Sequence, residues 1–148
     1  MEKKSQSAYN MKYICSISVV AALGGLLFGY DWVVIGGAKP FYEPFFHISD
    51  ETPLLRGWAQ SSALVGCLFG ALISGMLTDR FGRKKLLITA AVLFTVSAGG
   101  TGLSWSYFSF NLFRILGGLG IGLASNLSPL YIAEVSPAVL RGRFVSIN

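Results

Sequence analysis

Long apolar runs separated by short polar stretches dominate the chain. The first runs from about Tyr13 to Ile35, the second from Trp58 to Leu77, the third from Leu86 to Leu103 and the fourth from about Phe108 to Ala133. A helix needs about 20 residues to cross the hydrocarbon core of a bilayer, and all four runs meet that length, the third barely. None alternates apolar and polar residues with period two, so the pattern predicts membrane-spanning helices and not barrel strands. The fold class expected is all-α integral membrane, with residues 1–12 as a polar segment ahead of the first span.

Positive charge gives these spans a direction. Lys3, Lys4 and Lys12 precede the first span, Arg80, Arg83, Lys84 and Lys85 lie between the second and third, and Arg141 and Arg143 follow the fourth. With four spans these regions share one side, and the basic side of a membrane protein faces the cytoplasm. The N-terminus is therefore expected to be cytoplasmic, in a bacterial inner membrane or a plasma membrane. The opposite side carries the long connection from Gly36 to Gly57, with Pro40, Pro44 and Pro53, the acids Glu43, Asp50 and Glu51, and only Lys39 and Arg56 as cations. The start of the chain does not read as a cleaved signal peptide: its apolar run is too long and lacks a small-residue cleavage site.

Composition supports the same class. The chain is 53% hydrophobic and 13% charged, whereas a soluble domain carries roughly 25% charged residues. The net charge of +5 gathers at the ends of apolar runs, which is topogenic charge and not a nucleic-acid-binding face. Cys15 and Cys67 lie inside apolar runs and read as buried structural residues. His47 sits in a polar loop and is given no role. No metal-ligand cluster, Ser–His–Asp set or phosphate loop is evident, so neither an enzyme nor a cofactor is expected. The glycines of the fourth run have no preceding strand and make a poor nucleotide fingerprint.

Asp31 and Arg114 interrupt the first and fourth runs. An ionisable group within a span costs several kcal/mol and usually faces a cavity or a partner. The two spans run in opposite directions, which puts both charges roughly 6–10 Å inside the outer boundary at about 1.5 Å per residue. Gly24, Phe28 and Asp31 share one helical stripe, and Arg114, Gly118, Gly122 and Ser125 share another. Matched depth and facing stripes predict an ion pair. Two roles are open to it. It is a static bridge between helices, or it is a switch, because a guanidinium stays charged while a carboxylate at low dielectric can take up a proton.

Glycines at small-x-x-x-small spacing (Gly25 and Gly29, Gly66 and Gly70, Gly118 and Gly122) predict close backbone crossings in lipid. At the basic side the chain reads Gly75-Met-Leu-Thr-Asp79-Arg80-Phe81-Gly82-Arg83-Lys84-Lys85, and after the fourth run Tyr131-Ile-Ala-Glu134 followed by Arg141-Gly142-Arg143. Surface ion pairs are worth little individually. Topogenic charge alone, however, does not call for glycines and acids at fixed spacing, whereas an inner-face latch does.

The loop from Gly75 to Lys85 resembles the signature loop of the major facilitator superfamily. Gly24-Gly25-Leu26-Leu27-Phe28-Gly29-Tyr30-Asp31, Arg114-Ile-Leu-Gly117-Gly118-Leu-Gly120-Ile-Gly122 and Tyr131-x-x-Glu134 with Arg141-Gly142 resemble its sugar porter branch. The likeness extends over almost the whole chain from about Leu23. It implies a rocker-switch carrier of twelve helices in two halves. Residues 13–148 then form part of the first half, four helices and the start of a fifth. The chain is expected to be an N-terminal fragment that does not transport without the remaining helices.

The resemblance also implies roles. Asp31 matches the acid of bacterial proton-coupled sugar symporters, a position that is typically Asn in sugar facilitators, and Arg114 matches its partner. Phe28 matches an aromatic bordering the sugar cavity. Asp79, Arg80, Arg83, Glu134 and Arg141 match an inner-face charge network that steadies the outward-facing state. Thr78 departs from the small or apolar residue usual before the loop acid. The function implied is proton-coupled transport of a pentose or hexose by alternating access, with sugar, proton and bilayer as partners. A facilitator, a carrier of another small solute and a transporter-like sugar sensor are the alternatives.

Overall fold

The computed structural model describes residues 11–49 and 51–146. These form five helices and, among the described residues, no strand: α1 (Met11–Phe45), α2 (Pro53–Phe81), α3 (Arg83–Gly102), α4 (Tyr107–Val135) and a single turn and a half, α5 (Arg141–Val145). The first four are long and apolar enough to cross a membrane. Residues 1–10 of the expected polar N-terminal segment lie outside the described residues. The end bearing Gly82, Glu134 and α5 is here called inner, and the end bearing Tyr107 outer.

Three of the four long helices outrun the apolar spans that seed them, and α1 does so most. It was expected to stop near Ile35, with a loop from Gly36 to Gly57, but the helix continues to Phe45 through Pro40 and Pro44. A proline ring inside a helix collides with the carbonyl four residues earlier. For Pro40 that residue is Gly36, which has no side chain to add to the crowding. The extension also buries Tyr42 and, just past its end, Ile48 against Ile35, Ala59 and Phe110. Burial of this kind outweighs the loss of one or two backbone bonds.

The α1 terminus is a Schellman motif. The Ile48 amide donates to the Glu43 carbonyl at 2.8 Å and the His47 amide to Pro44 at 3.2 Å, with His47 in the left-handed region at φ 54°. The connection to α2 shrinks to residues 46–52. Between α2 and α3 only Gly82 is non-helical, at φ 82° and ψ 152°. That backbone region is essentially closed to side chains other than glycine's hydrogen, which explains the glycine of the signature loop.

α4 lies at the centre, with α1, α2 and α3 packed around it. Its glycines face two neighbours at once. A methyl at Gly118 or Gly122 would run into the Ala63 or Cys67 carbonyl of α2, and one at Gly117 or Gly120 into Ser97 or the Ala90 carbonyl of α3. Gly66 and Gly70 of α2 press in the same way on the Ile115 and Leu119 carbonyls. The Gly25–Gly29 pair was expected to make such a crossing too, yet Gly29 has nothing within 4 Å; the α1–α4 contact runs through Gly24, whose added Cβ would lie 3.4 Å from that of Ala124.

Apolar side chains cover the outside. Val20, Leu26 and Val33 of α1, Leu72 and Met76 of α2, and Val92 and Val96 of α3 are all more than half exposed, as befits helices solvated by lipid tails. Cys15, expected to be buried, is exposed on α1. An apolar run marks removal from water, and lipid satisfies that as well as protein does. Some hydroxyls within the spans are met locally: Ser61, Thr89 and Thr95 donate to the carbonyls of Gly57, Lys85 and Ala91, one turn back on their own helices, and so do not need water.

Candidate functional site

The close approach of α2 and α4 sets the site. Where Gly118 meets the Ala63 backbone, Arg114 lies one turn further out and comes within 3.5 Å of the Gln60 carbonyl through Nη2. On the other side α1 is pinned to α4 by Ser128, whose hydroxyl donates to the Ala21 carbonyl, and by the contact of Gly24 with Ala124. Seven residues beyond Gly24, Asp31 reaches Arg114.

Arg114 Nη1 donates to Asp31 Oδ1 at 2.7 Å, with side chains 7% and 18% exposed. This is a short charge-assisted bond between fixed partners. Removing one member of such a buried pair leaves a charge at low dielectric and costs about 3–5 kcal/mol. Arg114 Nε is buried and has no hydrogen-bond partner within the protein.

The pair forms a shared wall between two spaces. One is a void of about 10 Å³ between α1, α2 and α4, bounded by Asp31, Gln60, Arg114, Trp32, Ala63, Leu64, Cys67 and Ile121. The other is an open groove of about 610 Å³ between α1, α3 and α4, rich in aromatic side chains such as Phe41, Tyr42, Phe94 and Phe110. Neither holds a metal-binding set: no cluster of three or more His, Cys, Asp or Glu side chains occurs among the described residues.

At the inner end Arg83 Nε lies 2.9 Å from Glu134 Oε1, tying the start of α3 to the end of α4, with the side chains 38% and 47% exposed. The remaining members of the expected network do not join it. Asp79, Arg80 and Arg141 are exposed and make no ion pair among the described residues; Arg80 lies 5.7 Å over the ring of its neighbour Phe81. Phe28 falls in α1, but its side chain lies outside the described residues.

Several polar residues escaped the sequence reading. Arg56 Nε lies 2.8 Å from Glu43 Oε1, and Lys39 lies 3.8 Å from the same oxygen, which clasps α1 to α2 at the outer end. Tyr107 Oη donates to the Leu55 carbonyl at 2.7 Å. Asn126 Nδ2 donates to Ser74 Oγ at 3.0 Å, a polar link between α4 and α2. The helix extension past Ile35 is what brings Glu43 to Arg56, and a reading that ends α1 at Ile35 has no means to find the clasp.

The family model described as "Sugar (and other) transporter" matches residues 17–148. Among curated proteins the chain is 50% identical over 144 residues to a glucose transport protein of Synechocystis sp., covering 97% of this chain and 30% of that protein. It is 42% identical to the D-xylose-proton symporter of Escherichia coli, covering 95% of this chain and 33% of the symporter. It is 44% identical to the arabinose-proton symporter of Bacillus subtilis, covering 95% and 30%. Among solved structures it superposes on the proton:xylose symporter XylE bound to 6-bromo-6-deoxy-D-glucose with a TM-score of 0.85 at 42% identity, over 93% of this chain and 34% of that one. With the inward-open form of XylE the TM-score is 0.82. The chain thus spans about a third of the length of these relatives.

Proposed function

The chain belongs to the sugar (and other) transporter family, and on that footing we propose that it supplies the proton-coupling part of a secondary carrier for a pentose or hexose. Its fold is the N-terminal region of a major facilitator transporter. The carrier alternates between outward- and inward-facing states, and Asp31 takes up the proton that travels with the sugar. While ionised, Asp31 holds Arg114. Once protonated it loses its charge and most of its attraction for the guanidinium, which frees α1 and α4 to rearrange. A ligand shifts such an equilibrium by its differential affinity for the two states.

The observation that carries this reading is the buried 2.7 Å contact between Asp31 and Arg114, each borne on an apolar helix. The names of the relatives agree with it: two are proton symporters of pentoses. The Arg83–Glu134 pair suits the inner latch that such a cycle opens and closes. The carrier's membrane is the bacterial inner or plasma membrane, with the basic end inside.

Asp31→Asn tests the proposal in proteoliposomes made with the full-length protein. The amide mimics the neutral acid, so uphill accumulation driven by a proton gradient is expected to vanish. Exchange of labelled for unlabelled sugar at equal concentrations is expected to continue. Continued accumulation by Asp31→Asn overturns the coupling role of this residue.

A further inference from the structure

We infer that Tyr42 is the second partner of Arg114: its buried hydroxyl oxygen takes over the guanidinium when Asp31 gains a proton. The inference rests on the coupling role proposed for Asp31, and it makes Tyr42 a positioning residue, since Tyr42 acts on Asp31 only through Arg114. Three observations carry it. The first is placement. Tyr42 packs on Phe110, ring centroids 5.3 Å apart, and Phe110 lies one turn from Arg114 on α4. Tyr42, Asp31 and Arg114 line the same groove, and the Tyr42 hydroxyl is within electrostatic reach of the Arg114 guanidinium. The second is an acceptor left over. Tyr42 is 6% exposed. The Gln60 side-chain amide lies beside its hydroxyl, yet the buried Oη makes no hydrogen bond of good geometry among the described residues. That oxygen is covered by the described helices themselves, so a further helix would have to displace them to partner it. The third is a surplus of donors. A guanidinium has five N–H groups. Arg114 gives one to Asp31 at 2.7 Å and reaches the Gln60 carbonyl only at 3.5 Å, beyond the usual range for such a bond. Its Nε is buried without a partner. Unmet donors and an unmet acceptor are each costly at low dielectric, and a shift of the guanidinium towards Tyr42 relieves both.

The chemistry suits a handover. While Asp31 is ionised, its charge holds Arg114 more strongly than a neutral oxygen can. Protonation forms an O–H bond on the carboxyl and removes that charge. Two neutral acceptors then compete for Arg114, which keeps its own charge throughout. A phenol ordinarily holds its proton up to about pH 10, so Tyr42 offers an oxygen without adding a second group that titrates with Asp31. Its own proton can turn to the oxygen of the Gln60 amide. The other charged groups that act on Tyr42 are Glu43 of α1 and Arg56 of α2, and these are engaged with each other at 2.8 Å. From α4, Tyr107 gives its hydroxyl to the Leu55 carbonyl. Tyr30 of α1 lines the groove, while α3 and the turn after it bring only the hydroxyls of Ser97, Thr101 and Ser104 there as polar side chains. No neighbour thus competes with Tyr42 as a neutral side-chain acceptor already buried beside Arg114.

A hydrogen bond made only in the protonated arrangement favours that arrangement, so removing the hydroxyl makes Asp31 harder to protonate. Tyr42→Phe keeps the ring on Phe110 and tests this in proteoliposomes of the full-length protein with labelled D-xylose or D-glucose. The pH dependence of proton-driven accumulation is expected to move about one pH unit towards acid, the size set by one hydrogen bond to a charged group. Exchange of labelled for unlabelled sugar is expected to continue, which certifies the fold. An unmoved profile, a move towards alkali, or equal loss of accumulation and exchange overturns the role. A density map of full-length Asp31→Asn, whose amide mimics the protonated acid, gives a second readout. Arg114 is expected within hydrogen-bond distance of Tyr42 Oη, and a guanidinium that stays with the side chain at position 31, away from Tyr42, overturns the handover. If Asp31→Asn itself accumulates sugar, the coupling reading fails. If Asp31→Asn stops accumulation while Tyr42→Phe keeps the pH profile of the parent, only the role of Tyr42 fails.

Discussion

Arg114 draws on two of the three long helices packed around α4, holding the Asp31 carboxylate of α1 and the Gln60 carbonyl of α2. A buried pair of this kind is costly to break and far less costly to replace as a whole. Arg114→Leu is therefore expected to lower stability in detergent by about 3–5 kcal/mol, because it leaves the Asp31 carboxyl buried without its partner. The double variant Asp31→Leu with Arg114→Leu is expected to recover most of that loss while remaining unable to couple. Chemical unfolding of the two variants checks the claim, and a double variant as unstable as the single one speaks against it. Both charges stood out in the sequence because each breaks an apolar run. Gln60 did not, since a neutral amide near the end of a span looks like any boundary residue. Its relevance appears only once Gly118 is seen against Ala63, which brings the Gln60 turn of α2 alongside Arg114.

Among the helices, α4 owes its central position to glycines that face α2 and α3 at different angles. Gly118→Val is expected to separate α2 from α4, since even a methyl would meet the Ala63 carbonyl and Ala63 Cα. Gly24→Ala is expected to be tolerated, its Cβ lying in ordinary contact with Ala124 and Ser128. Yield of folded protein by size-exclusion chromatography separates the two, and equal behaviour contradicts the packing described. Four helices were legible from apolar run length alone, and the glycines of the α2–α4 crossing from their small-x-x-x-small spacing. The length of α1 was not. Pro40, Pro44 and the polar residues around them carry the local signature of a turn, and the forces that keep them helical are tertiary: Tyr42 against Phe110, centroids 5.3 Å apart, and Glu43 against Arg56. Gly29 shows the converse, because a small-x-x-x-small spacing states that a helix can be approached closely without saying that another helix does so.

Across the whole molecule the two ends are held by different means. At the outer end Tyr42, Phe46, Tyr107 and Phe110 form an aromatic cluster, and the Glu43 side chain, 15% exposed, faces both Arg56 and Lys39. At the inner end an apolar cluster of Ile14, Ala21, Ile132 and Phe144 is joined by the more open Arg83–Glu134 pair. Shielded charges resist salt screening and exposed ones do not. Glu43→Gln withdraws an anion shared by two cations and is expected to cost about 1.5–3 kcal/mol, as for a hydrogen bond to a charged group. Glu134→Gln, removing one exposed partner, is expected to cost about 1 kcal/mol or less. Thermal unfolding at low and high ionic strength distinguishes them: the Glu43 effect should persist in salt, whereas the Glu134 effect should fade. For the carrier proposed above, whose inner face would open in every cycle, a weak, screenable link there and a firm clasp opposite are the suited arrangement, and equal and equally salt-sensitive losses would contradict this asymmetry between the two ends.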